Sequence, residues 1–146
     1  MTEGKRLGVE VSKLANSIKR RVSKVTVEVE SEFGLTAMQN WCLGLIYRRR
    51  GHDIYQRDIE QAFNIRRSTA TGILQLLEKN GFLYRVAVEC DARLKKIVLT
   101  DKALAVCAKM RDILDECEQS FIRGLSEEEL AVFYSVMEKI EDNTKE

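Results

Sequence analysis

Apolar residues recur along the first thirty positions at steps of three and four: Leu7, Val11, Leu14, Ile18, Val22, Val25 and Val29. That spacing lines one face of a long helix of about six turns, with Lys, Arg and Ser opposite. Phe33-Gly34 stops the helix, and Thr36 with Gln39 stands at the spacing of a capping box, so a second helix is predicted to run to about Arg50. After the break at Gly51-His52-Asp53, Ile54 is expected to make a single bridge of strand, and a short helix to hold Ile59, Ala62 and Phe63. Asn64 makes the next turn, since asparagine tolerates the left-handed backbone of a tight helix-turn-helix. A helix from Arg67 to Lys79 would bury Ala70, Ile73, Leu74 and Leu77 and stop at Asn80-Gly81. The β-branched and aromatic runs Phe82–Glu89 and Lys96–Leu99, joined across Cys90–Lys95, predict a two-stranded hairpin with a charged tip. Helical spacing then returns through Cys107, Met110, Leu114, Cys117 and Phe121. Ser126 and Glu129 form a second capping box, opening a last helix that presents Leu130, Phe133, Met137 and Ile140.

The fold class expected from this order is mainly α with one small β-hairpin (α+β). With 146 residues and 45% hydrophobic content the chain is read as a single domain with a real core, and the absence of proline lets helices run unbroken. Residues 35–102 would form a lobe, while 1–34 and 103–146 carry amphipathic helices that one small lobe cannot cover. These are expected to interleave with their copies in a twofold homodimer.

A net charge of +1 hides a division along the chain. Residues 47–102 hold 12 basic and 7 acidic side chains, whereas 103–146 hold 5 and 11, which points the middle of the chain at a polyanion. No apolar stretch suits a signal peptide or a membrane span, so a cytoplasmic protein with no membrane partner is expected. The four cysteines, at 42, 90, 107 and 117, lack CxxC spacing and fit a reducing cytosol. Cys42 and Cys107 sit in apolar helical patterns, while Cys90 is expected to be the most exposed thiol. His52 is the only histidine and stands in no metal-ligand cluster, and no nucleophile and base pair or phosphate-binding glycine loop is present. Neither a metal, a cofactor nor an enzymatic activity is therefore expected.

A short helix, a tight turn, a helix with Arg67, Ser68, Thr71 and Gln75 on its polar face, and a basic hairpin together suit duplex DNA. Such side chains reach phosphates and base edges in the major groove. The hairpin tip reaches the flanking minor groove, where an arginine fits best. Arg93 is the candidate, with Asp91 expected to hold its guanidinium.

Three runs now stand together: Phe33-Gly34-Leu35-Thr36; Ile65 to Thr71 with Leu77-Glu78-Lys79-Asn80-Gly81-Phe82; and Asp91-Ala92-Arg93 before Leu99-Thr100. Their order and spacing resemble the MarR family of winged helix-turn-helix regulators over roughly residues 10 to 140. The resemblance implies a triangular homodimer, joined by its terminal helices, whose winged lobes read the two halves of a pseudo-palindromic double-stranded DNA operator. On matching positions it places Ser68, Thr69 and Thr71 on the recognition helix, Arg66 and Arg67 at its N-terminal end, and Asp91 and Arg93 at the wing. Gln75 on the helix and Lys95 at the tip complete the expected DNA-binding set. The chain departs from the family pattern at Gly72, where a larger residue is common, at Arg66, which has no capping oxygen, and at Ala103. The family also implies a small aromatic effector, for which Trp41, Tyr47 and Tyr55 are candidates if they do not simply belong to the core. The functional reading is a repressor released by such an effector. The alternatives are a thiol-switched regulator using Cys90 or Cys42, and a helical interaction protein whose winged lobe binds protein.

Overall fold

The computed structural model describes residues 4–145. Its elements are α1 (Leu7–Phe33), α2 (Ala37–Arg48), α3 (Gln56–Phe63), α4 (Arg67–Lys79), β1 (Leu83–Val88), β2 (Asp91–Leu99), α5 (Asp101–Phe121) and α6 (Glu127–Asn143). The chain divides into two compact units, one up to Leu114 and one from Asp115 onward.

In the first unit each boundary has a local cause. Gly34 closes α1 in the left-handed conformation at φ 66°, and its N–H returns to the carbonyl of Ser31. Thr36 Oγ1 accepts the N–H of Gln39 at 3.1 Å while Gln39 Oε1 accepts that of Thr36 at 3.0 Å, so the expected capping box starts α2. Asn64 ends α3 at φ 50°, ψ 50°, and Ile65 donates back to the carbonyl of Glu60. That single left-handed residue lets α4 start at once in a new direction.

The core gathers Val29 of α1, Cys42, Leu43 and Ile46 of α2, Ile59 of α3, Leu74 and Leu77 of α4, Phe82, Leu83 and Ile97 around the hairpin, and Val106 and Met110 of α5. The C-terminal part of α1 therefore belongs to the lobe's own core. The short helix departs from its pattern at Ala62, which is exposed. Ile54 forms no strand, yet its carbonyl accepts the N–H of Ile97 at 2.7 Å and ties the α2–α3 connection to β2.

The hairpin corrects the expected strand boundary. β2 begins at Asp91 rather than Lys96, and the antiparallel register runs from Leu83 opposite Leu99 to Ala87 opposite Lys95, then slips so that Val88 faces Asp91. Ala92, Arg93 and Leu94 are left without partners on β1. A bulge of this kind bends a strand and re-aims its side chains, and no hydrophobic alternation announces it.

In the second unit Gly124, at φ 84°, makes the turn before α6. Ser126 and Glu129 close the second expected capping box at 3.1 and 2.8 Å. No described residue of α6 is buried.

Candidate nucleic-acid interface

α4 buries Ala70, Leu74 and Leu77 on one side, which leaves Ser68, Thr69, Gly72 and Gln75 exposed on the other. Its start is bare: Arg66 holds the N-cap position without any side-chain hydrogen bond, in keeping with its lack of a capping oxygen. The far end is anchored instead. Thr100 Oγ1 donates to the carbonyl of Gly81 at 2.6 Å, and Lys102 Nζ donates to that of Asn80 at 2.9 Å while lying 4.3 Å from the centre of the Phe82 ring. These bonds join the end of the helix to Thr100, just after β2, and to the first turn of α5.

Beside the first residue of α4 lies an open cleft of about 460 Å³, bordered by Tyr55, Gln56, Arg57 and Glu60 of the α3 region, Arg67 of α4, Arg85 of β1, and Arg93, Leu94 and Lys95 of β2. Five cationic side chains face one carboxylate there. Arg85 spends its charge on Glu78 at 3.1 Å, whereas among the described residues Arg57, Arg67, Arg93 and Lys95 make no ion pair. Unpaired cations along a concave wall concentrate positive potential, which suits a phosphate backbone.

The structure thus brings Arg67, Arg93 and Lys95 together, with Arg66, Ser68, Thr69 and Gln75 on the exposed part of α4. It also supplies Arg57 and Arg85, which the sequence reading missed. Arg57 follows Gln56 at the start of α3, where its one sequence signal was its charge, and Arg85 lies within a strand read only for its apolar alternation.

Two expected roles change. Asp91 does not hold the Arg93 guanidinium: its Oδ1 accepts the backbone N–H of Arg93 at 2.9 Å, fixing the main chain of the bulge and leaving the arginine head free. Thr71 is half-buried, and its hydroxyl both donates to the Arg67 carbonyl and accepts from Gln56.

The three aromatic candidates do not share one site. Trp41, 59% exposed, borders a mostly apolar groove of about 500 Å³ with Ile18, Val22, Thr26 and Val27 of α1, where Asn40 Nδ2 donates to Glu30 at 3.1 Å. Tyr47 lies under the Arg50 guanidinium at 3.8 Å from its ring centre, and Tyr55 borders the cationic cleft. Among the cysteines, Cys90 is exposed and the other three are buried. Burial pushes the Cys42 thiol up from the ordinary 9.0 to about 12. Cys107 is pushed to about 11, burial outweighing the opposing pull of Arg50 and Arg48. Both are un-ionised at neutral pH and suit packing rather than thiol chemistry.

Comparisons with known proteins agree with this geometry. MepR of Staphylococcus aureus, described as a transcription regulator of the multidrug efflux pump MepA, shares 25% identity over 96% of this chain and 99% of its own, with a TM-score of 0.75. A MepR–DNA complex matches at 27% identity and a TM-score of 0.68, covering 91% of this chain and 98% of that one. The transcription regulator MarR from Oenococcus oeni matches at 26% and 0.65, covering 94% and 99%. Residues 33–94, which hold α4 and every residue of the cleft except Lys95, match the sequence model of the MarR family. In this stretch, and in its fold, the chain is similar to the MarR family of winged-helix transcription regulators.

Proposed function

We propose that this protein is a sequence-specific DNA-binding repressor, acting as a homodimer on a pseudo-palindromic operator and released by a small aromatic effector. The observation that carries the DNA-binding reading is the continuity of the cationic cleft with the exposed polar face of α4. Arg67 belongs to both, so a duplex whose major groove takes α4 lays its phosphates along Arg57, Arg67 and Lys95. Arg93, unpaired on the bulge, then extends to the adjoining minor groove. The DNA complex of the related MepR supports the same orientation of function.

Selection of bound duplexes from a random pool, followed by affinity measurements across a salt series, tests this reading. Arg93→Ala is expected to weaken binding and to lower the slope of log affinity against log salt by about one. An unchanged slope would remove Arg93 from the interface.

The groove beside Trp41 supports the effector reading, since it is concave and largely apolar, with a few polar groups in its wall, among them the bonded Asn40 and Glu30. Trp41 is the chain's one tryptophan, so its fluorescence reports that groove directly. Titration with small phenols and aromatic acids should quench it over the concentrations that release bound duplex. Release without quenching would place the effector elsewhere.

A further inference from the structure

The groups that tie α3 to the start of α4 form a closed set. Gln56, the first residue of α3, sends its amide Nε2 to Thr71 Oγ1 at 2.9 Å and to the Arg67 carbonyl at 3.3 Å. Thr71 Oγ1 donates to the same carbonyl at 2.9 Å. The Thr71 hydroxyl has one proton and has committed it, and a carbonyl only accepts, so both partners demand a donor from Gln56. The amide is thereby fixed with its NH₂ toward α4. This contact reaches across the helix-turn-helix to the first turn of a helix whose own N-cap offers no side-chain bond.

We propose that Gln56 and Thr71 form a latch that sets the pose of α4, making Gln56 a positioning residue for duplex binding and Thr71 its partner rather than a reader of bases. The proposal rests on the DNA-binding reading only for its consequence. The latch itself is a property of the free protein. Gln56 also borders the cleft, but its amide donors are committed to Thr71 and the Arg67 carbonyl, so its effect on affinity comes through where α4 and Arg67 are held. A helix displaced by even a small angle carries Ser68, Thr69 and Gln75 off their targets together, which weakens discrimination at several base pairs at once.

The test uses Gln56→Met and Thr71→Val, which keep approximate shape while removing the polar groups, and Thr71→Ser, which keeps the hydroxyl. In DNA-free protein, amide hydrogen exchange of residues 70–72 should quicken about fivefold in each of the first two variants, the worth of a typical side-chain hydrogen bond. The thermal midpoint should fall by only a few degrees in the two disrupting variants, and Thr71→Ser should match wild type throughout. The double variant should fall short of the product of the single effects, because the two side chains share one interaction. Unchanged exchange, or effects that multiply, would overturn the latch. With the selected duplex, the two disrupting variants should each lose about fivefold in affinity at an unchanged salt slope, in keeping with one lost hydrogen bond. Wild-type affinity in both would overturn the positioning role. A wild-type chain that binds no duplex would refute the DNA-binding reading, while the exchange data would still decide the latch.

Discussion

Asn64 is the only described non-glycine residue with a positive φ, and the course of the chain from α3 into α4 depends on it. An L side chain in that region crowds the following carbonyl, and asparagine lessens the cost by local hydrogen bonding. Asn64→Ala should therefore lose about 1 kcal/mol of stability in urea unfolding, whereas Asn64→Gly should stay close to wild type. Equal losses in both would mean that the asparagine side chain, and not its backbone, holds the turn. Cys42 offers a second test at this scale. Its thiol titrates at about 12 in the folded protein against 9.0 ordinarily, so the unfolded chain gives up its proton first as pH rises. The unfolded state then binds fewer protons than the folded one, and stability falls with rising pH from about 9 up to about 12, being unaffected below. Removing the thiol in Cys42→Ala should cut the stability lost between pH 8 and pH 10 by about 1 kcal/mol. An identical pH slope in the two proteins would show that the thiol ionises as freely inside as outside.

Among the elements, α2 and α6 were legible through their capping boxes, Thr36 with Gln39 and Ser126 with Glu129, and α4 through its apolar period, Ala70, Leu74 and Leu77. The wing was only half legible. Its strands show in composition, but the slip that leaves Ala92, Arg93 and Leu94 unpaired is a matter of register, and register carries no signature in a short charged run. The cationic cleft was legible through Arg67, Arg93 and Lys95, yet Arg57 and Arg85 join it only because α3 and β1 come together in space. Trp41, Tyr47 and Tyr55 were grouped by chemistry alone, and the fold disperses them. The bulge gives a test in which two effects oppose. Asp91→Ala removes a negative charge from a cationic region, which by charge alone would tighten duplex binding. It also removes the acceptor that holds the Arg93 N–H at 2.9 Å. Affinity is expected to fall about threefold to tenfold, since a backbone hydrogen bond to a carboxylate is worth more than the screened charge of one exposed residue. A gain in affinity would mean that the wing needs no such bond and that charge alone governs the contact.

At the scale of the whole molecule, the two ends of the chain present apolar surface that a single copy does not cover. Leu7, Val11 and Leu14 on α1 are 59%, 48% and 48% exposed, and on α6 Val132, Phe133 and Met137 are 63%, 49% and 48% exposed. Runs of this kind on successive helical turns are rare on a monomer's surface and mark an interface. In the homodimer proposed above, a second copy would supply a matching apolar stripe at each end, and twofold closure would use the same patch on both chains. Leu14→Glu together with Phe133→Glu should convert a dimer into a monomer by light scattering at micromolar concentration. Operator binding should then collapse toward the affinity of one lobe, because the two α4 helices no longer act on linked half-sites. If the double variant stays dimeric, the stripes serve another contact. If it becomes monomeric but keeps full affinity for the selected duplex, each lobe binds alone and the pseudo-palindrome has no role.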